Sequence, residues 1–153
     1  MRASGSVKIQ SSIETIFECL ANVQNLESWM NGVSEPRMTS AGAAGLGATF
    51  TSVYTYAGKS HRVTYEFVEF EPPTRLLWRS TSGPFPYESA MTLEPDEDGA
   101  RVTNSVDAGP TGLVSAIWFA VFGPMLRPML RRQLRRELTT LKALLEDESQ
   151  PEA

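Results

Sequence analysis

Residues 48–80, ATFTSVYTYAGKSHRVTYEFVEFEPPTRLLWRS, carry the pattern that decides the fold. Large side chains alternate with small or polar ones along this stretch, which is the period of a half-buried β-strand. The turn residues Ala57-Gly58-Lys59 separate a first strand from a second. Pro72-Pro73 ends the second strand because neither proline can donate a ladder hydrogen bond. Such short connections predict antiparallel neighbours.

The same alternation continues on both sides of this stretch. Downstream, strands are predicted from Tyr87 and up to Val106, joined by the hairpin signal Asp98-Gly99. Upstream, Val33–Met38 predicts a weak strand, and Val7 with Ile9 predicts a short first strand. The chain therefore predicts about seven strands in one antiparallel sheet.

Two short helices are predicted between the first and second strands. Ser11 with Glu14 fits a capping box at the start of the first helix. Asn22 is the cap expected for the second helix, which ends near Asn31-Gly32.

The last third of the sequence predicts a long helix. Its leucines recur every three or four residues and form an apolar stripe; they are Leu126, Leu130, Leu134, Leu138, Leu141 and Leu145. Pro124 and Pro128 predict a kink or a fresh helix start near the beginning of this stripe.

Composition restricts the function classes. The 153 residues carry a formal net charge of -4, so a generic nucleic-acid binder is disfavoured. Cys19 and His61 are the single residues of their types, so one chain cannot assemble a Cys/His zinc site, and we expect no metal and no cofactor.

We see no signal peptide and expect a cytoplasmic protein. Residues 1–146 are predicted to form one domain, and 147–153 an acidic, frayed tail.

The order of the elements indicates an α+β fold in which the curved sheet wraps around the C-terminal helix and leaves a cavity. Five stretches resemble one family: NVQNLESW (22–29), GLGATF (45–50), FVEFEPPTRLLWR (67–79), LEPDEDGARVT (93–103) and LRRELTTLKALLE (134–146). They resemble the helix-grip fold of the START and birch-pollen-allergen (SRPBCC) superfamily, in its polyketide cyclase/dehydrase-like branch. The resemblance runs from Val7 to Glu146. It implies a pocket for a hydrophobic or amphipathic small molecule of lipid, polyketide or aromatic type, held for transport, storage or sensing.

Residues expected to touch such a ligand lie on the inward phase of the strands and in the apolar segment before Gly123. Aromatic side chains supply apolar area and a polar tip that orients a ligand, although ordinary core packing explains the same pattern. The candidates are Phe50, Tyr54, Tyr56, His61, Tyr65, Phe67, Trp78, Tyr87, Ser89, Met91, Asn104, Trp118 and Phe122.

An enzyme is the alternative hypothesis. His61 is the only side chain whose ordinary pKa suits acid–base work near neutral pH, which makes it the candidate catalytic residue. In a polyketide aromatase/cyclase or dehydratase, His61, Tyr65 or Asn104 would polarise a carbonyl or move a proton. Otherwise His61 lies in solvent at a strand end, and Asn104 is satisfied by a neighbour. Binding without catalysis is favoured.

A third hypothesis concerns the segment from Leu113 to Phe122, which is apolar almost all round a helix. This pattern fits a lid, a dimer surface, a membrane-docking patch or a buried helix. We therefore allow for transient membrane contact and for a monomer or a homodimer. The arginines beside it are predicted to form a solvated helix face balanced by Glu137 and the acidic tail, or else an anion or membrane clamp; they are Arg127, Arg131, Arg132, Arg135 and Arg136.

Overall fold

The computed structural model describes residues 2–56, 58–83, 86–108 and 113–149, without the side chains of 56, 108, 113–127 and 147–149. Within these residues seven strands form one curved sheet, and three α-helices pack on it. The strands are β1 (Arg2–Ile9), β2 (Val33–Met38), β3 (Thr49–Tyr56), β4 (Lys59–Glu71), β5 (Arg75–Ser82), β6 (Tyr87–Asp96) and β7 (Gly99–Ala108). The helices are α1 (Ile13–Ala21), α2 (Leu26–Trp29) and α3 (Leu113–Ser149), with a 3₁₀ turn at Val23–Asn25.

The sheet is antiparallel throughout, in the order β1-β7-β6-β5-β4-β3-β2. Consecutive strands from β2 to β7 are neighbours, as short turns require. β1 instead crosses to the far edge, where it pairs with β7 from Arg2 opposite Asp107 to Ile9 opposite Ala100. These observations confirm the predicted α+β helix-grip fold.

The C-terminal helix lies across the concave face of the sheet. Leu138, Leu141 and Leu145 are buried there, as the leucine stripe predicts. At β1 the helix approaches closely, since a Cβ added to Gly5 would lie 3.5 Å from the Cβ of Leu134. The helix backbone is thus held near one edge of the sheet, and a space remains over the strands farther away.

The start of α1 differs from the prediction by one residue. Ser12, not Ser11, is the cap, because its Oγ accepts a hydrogen bond from the Thr15 N–H at 3.2 Å. The Ser11 N–H is used in the turn that follows β1, where it donates to the carbonyl of Ile9 at 3.0 Å. Asn22, the cap predicted for the second helix, caps the 3₁₀ turn that precedes α2: its Oδ1 accepts a hydrogen bond from the Gln24 N–H at 3.2 Å.

The long helix also differs from the prediction. α3 runs without interruption from Leu113 to Ser149, so the fresh start near Pro124 and Pro128 is wrong. Each proline removes only one backbone donor, and the hydrogen bonds on either side can continue the helix. Residues 147–149, which were assigned to the acidic tail, belong to this helix.

Candidate functional site

A cavity of about 80 Å³ lies between the inner face of the sheet and the helices α2 and α3. The wall is mainly apolar, with a few polar side chains. The sheet contributes Phe50, Ser52, Tyr54, Val63, Tyr65, Trp78, Tyr87 and Val106. The helices and the start of β2 contribute Leu26, Met30, Asn31, Val33, Leu130, Gln133, Leu134 and Glu137.

Aromatic rings form the sheet side of the cavity. Phe50 on β3 stacks on Tyr65 of β4, with ring centroids 5.0 Å apart, because the two residues are directly opposite each other in the ladder. Trp78 meets Phe50 edge to face at 6.0 Å, and Tyr87 meets Tyr65 edge to face at 6.3 Å. Rings held on neighbouring strands give the cavity a rigid apolar wall.

The tyrosines of this wall are neutral hydrogen-bonding groups. Burial raises the pKa of Tyr65 to about 12, although a hydrogen bond with Ser52 lowers it in part. Burial also raises the pKa of Tyr87 well above its usual range, and the nearby Tyr65 and Glu137 add to the effect. These phenols therefore keep their protons at neutral pH and can orient a ligand without carrying charge.

Glu137 is the one carboxyl group in the described wall of the cavity. Its side chain on α3 is only 5% exposed. Oε1 accepts a hydrogen bond from Nε2 of Gln133 at 3.1 Å, one turn earlier in the helix, whereas Oε2 has no hydrogen-bond partner among the described side chains. Burial raises the pKa of this carboxyl from 4.5 to about 7, and the hydrogen bond from Gln133 and the nearby backbone of Asn31 only partly offset the effect. The group is thus poised between its neutral and charged forms near neutral pH.

A second polar cluster lies beside the cavity, on β6 and β7. Asn104 is fully buried, and its Oδ1 accepts a hydrogen bond from the Ser89 hydroxyl at 2.7 Å. Ser89 also shares a hydrogen bond with Tyr87 in the cavity wall. The Nδ2 of Asn104 has no partner among the described residues. Ser89 therefore connects the buried amide to a phenol that a ligand would touch.

Replacing Ser89 tests this cluster. We expect Ser89→Ala to lower the free energy of unfolding by about 1–3 kcal/mol, because the buried Oδ1 of Asn104 loses its donor. Ser105→Ala, on the exposed face of β7, is the matched control and should change stability by less than about 0.5 kcal/mol. Urea denaturation of both variants measures the difference. Equal effects of the two substitutions would show that the Ser89 hydroxyl contributes nothing particular.

The structure brings part of the predicted ligand set together. Five of the candidates line the cavity: Phe50, Tyr54, Tyr65, Trp78 and Tyr87. Four others are buried in the core outside the cavity wall: Phe67, Ser89, Met91 and Asn104. The side chains of Tyr56, Trp118 and Phe122 lie outside the described residues.

His61 is placed apart from these residues. It is exposed near the start of β4, opposite Tyr54, and follows the turn at Gly58. The structure therefore does not bring His61 together with Tyr65 and Asn104, the three residues of the enzyme hypothesis. An inward phase near a strand end therefore does not guarantee burial.

Glu137 was not among the predicted site residues, because it was expected on the solvated face of the helix with the arginines. The structure shows Arg131, Arg132, Arg135 and Arg136 exposed but Glu137 buried. A signal was present, because Glu137 follows Leu134 by three residues and precedes Leu141 by four. This spacing puts a carboxylate on the apolar stripe of the helix.

Comparison with known families agrees with this geometry. Residues 1–146 match the family described as polyketide cyclase / dehydrase and lipid transport. The chain belongs to this family. No curated protein matches the sequence.

Several solved structures share the fold of this polyketide cyclase/dehydrase family member. Protein TTHA0849 from Thermus thermophilus is 17% identical, with a TM-score of 0.79, and the match covers 98% of this chain and 100% of that one. A START superfamily protein from Mycobacterium smegmatis is 14% identical, with a TM-score of 0.77, over 97% and 99% of the two chains. The di-domain ARO/CYC StfQ of the steffimycin biosynthetic pathway is 14% identical, with a TM-score of 0.75, over 97% of this chain and 52% of its own. At these identities the likeness is one of fold.

The apolar segment Leu113–Phe122 forms the first part of α3, and its side chains lie outside the described residues. In the part of the chain that the structure describes, no helix has both the length and the apolar character needed to cross a membrane. The assignment of this segment as lid, interface or buried core stays a prediction.

Proposed function

We propose that the chain binds one small hydrophobic or amphipathic molecule in the cavity between the sheet and α3, for transport, storage or sensing. The observation that carries this proposal is the composition of the wall, where rings and aliphatic side chains surround a few polar groups. Ligand sites of small molecules have this composition, because apolar contact supplies affinity and a few polar groups fix orientation.

The family supports the same class of ligand. Its description names lipid transport beside polyketide cyclisation, and both involve largely apolar molecules. A lipid, a polyketide or an aromatic compound would each match the aromatic wall formed by Phe50, Tyr65 and Trp78.

Binding, rather than catalysis, is the function we propose. Of the three residues in the enzyme hypothesis, Tyr65 lines the cavity, Asn104 is buried beside it, and His61 is exposed. General acid–base catalysis requires its groups within hydrogen-bonding reach of one reacting atom. These three side chains offer no such common point.

Uptake of a neutral fluorescent probe tests the proposal. We expect N-phenyl-1-naphthylamine to gain fluorescence on mixing with the protein, because its rings would leave water for the aromatic wall. Val106→Phe, which adds a ring at the wall, should lower the uptake at least about fivefold by filling the space. Mass spectrometry of an organic extract of the purified protein would identify a ligand that copurifies.

Val53→Phe is the matched control, because Val53 lies between the inward residues Ser52 and Tyr54 and points to the opposite face of β3. Circular dichroism establishes that both variants are folded. Failure of the unmodified protein to take up the probe would overturn the proposal, as would equal uptake by the two folded variants.

A further inference from the structure

The cavity contains a buried acceptor that no described residue satisfies. Glu137 is 5% exposed and lines the cavity, yet its Oε2 accepts no hydrogen bond from the part of the chain that the structure describes. Its other oxygen is held by Gln133 at 3.1 Å, which fixes the carboxyl on the cavity side of α3. A buried polar atom without a partner is costly, and native proteins rarely retain one without a use.

The surroundings of this carboxyl are complementary to a positive charge. The described wall contains no lysine, arginine or histidine. Among the described residues, the other ionisable groups of the cavity wall are the phenols of Tyr54, Tyr65 and Tyr87 on the sheet, and phenols do not supply positive charge. Gln133 on α3 and Asn31 before β2 are uncharged. A carboxylate held in such a place lacks a counter-charge, which a ligand can provide.

The rings opposite the carboxyl favour the same kind of group. A cation is attracted to the faces of tyrosine, phenylalanine and tryptophan. Phe50, Tyr65 and Trp78 lie side by side in the wall, and Val63 and Leu134 complete an apolar lining. The wall can therefore hold an apolar body while the carboxyl holds a charged end.

We infer that the cavity takes a small apolar amine, whose protonated nitrogen donates a hydrogen bond to Oε2 of Glu137 while its apolar body lies against Phe50 and Trp78. This inference rests on the proposed binding function and names the ligand class for the same site. Benzylamine, one ring with one amine, is a suitable small probe for a cavity of about 80 Å³, and benzyl alcohol is its neutral analogue of equal size.

Isothermal titration calorimetry with this pair tests the inference. Near pH 8 we expect benzylamine to bind roughly ten- to a hundredfold more tightly than benzyl alcohol, the range of a charge-assisted hydrogen bond. Glu137→Gln should remove that preference and leave benzyl alcohol binding within about threefold of its original value. Glu18→Gln, at an exposed position on α1, is the control and should behave as the unmodified protein.

Proton release gives a second measurement that needs no variant. Below the pKa of about 7, Glu137 is mostly protonated, so a bound ammonium must displace its proton. The phenols of Tyr65 and Tyr87 stay neutral in this range, because burial raises the pKa of Tyr65 to about 12 and holds that of Tyr87 well above its usual range. Titrations near pH 6 in buffers of different ionisation enthalpy should therefore show nearly one proton released, and titrations near pH 8 almost none.

The outcomes separate this inference from the proposed function. Uptake of N-phenyl-1-naphthylamine together with equal affinity for benzylamine and benzyl alcohol would overturn the amine inference and leave the binding function standing. A preference for benzylamine that survives Glu137→Gln, or binding near pH 6 without proton release, would also overturn it. Absence of any probe uptake would overturn both.

Discussion

Glu137→Gln is expected to raise the free energy of unfolding by about 3 kcal/mol near pH 8 and to change it little near pH 4. The glutamine has the shape of the protonated acid, and it keeps an acceptor for the Gln133 amide and a donor at the position of Oε2. The substitution thus replaces a group that ionises in the cavity by one that does not.

The direction follows from the raised pKa. In the unfolded chain the carboxyl titrates near 4.5, and in the folded protein near 7. Between these values the folded state holds a proton that the unfolded state has lost, so stability falls as the pH rises. The stabilisation is fully present below about pH 4.5 and lost above about pH 7. Above that range the folded protein carries a buried charge, which the glutamine variant avoids.

Urea denaturation of ligand-free protein at a series of pH values measures this effect. Other titrating groups are common to both proteins, so the difference between their stabilities isolates Glu137. Glu18→Gln serves as the surface control, and it should change the free energy of unfolding by less than about 0.5 kcal/mol. A stability difference for Glu137→Gln that is constant from about pH 4 to 8 would show that the carboxyl does not titrate in this window.

Gly99→Ala is expected to destabilise the protein by about 3 kcal/mol or more. Gly99 is the first residue of β7, and the chain passes directly over it where β1 ends. A Cβ at this position would lie 1.9 Å from the carbonyl oxygen of Ile9 and 3.0 Å from the Cα of Gln10. Both contacts are with backbone, so relief requires the end of β1 to move away from β7.

Gly45→Ala is the matched control, because an added Cβ there meets nothing within 4 Å. We expect its stability to change by less than about 1 kcal/mol. Thermal unfolding of the two variants measures the contrast. Similar unfolding temperatures for the two variants would mean that the backbone at the end of β1 moves to accommodate the added methyl group at little cost in stability.

The sheet could be predicted because its residues carry their own signals. Alternation and turn residues marked β3 to β7, and Pro72-Pro73 marked the end of β4 at Glu71. The first strand was predicted too short, since residues 2–6 read RASGS, without an apolar period. These residues are extended because they pair with β7, and a pairing between distant segments leaves little trace in local sequence.

The candidate site was predictable in its apolar part and not in its polar part. The alternation along the strands predicted that Phe50, Tyr65 and Trp78 line the cavity. Inward-facing residues on neighbouring strands lie next to each other on the core side of the sheet. Glu137 was predicted to lie on the solvated face of the helix because its neighbours in sequence are charged. Its position in the helical repeat instead puts it on the buried stripe. The exposure of His61 goes with its place near the start of β4, beside the turn at Gly58, and strand phase alone does not encode it.

The pairing of β1 with β7 determines when the fold can be completed. Arg2 donates a hydrogen bond to Asp107, which lies 105 residues away in the sequence. The first strand to be synthesised therefore cannot pair until the last strand has been made. Strands β2 to β7 can pair with their sequence neighbours through local connections. Pairing β1 with β7 instead closes a loop on the order of a hundred residues long. Until then the edge of β7 stays open, and α3 lacks the strand that it approaches at Gly5. We therefore expect β1 to join the sheet after the other strands, when the two ends of the chain meet.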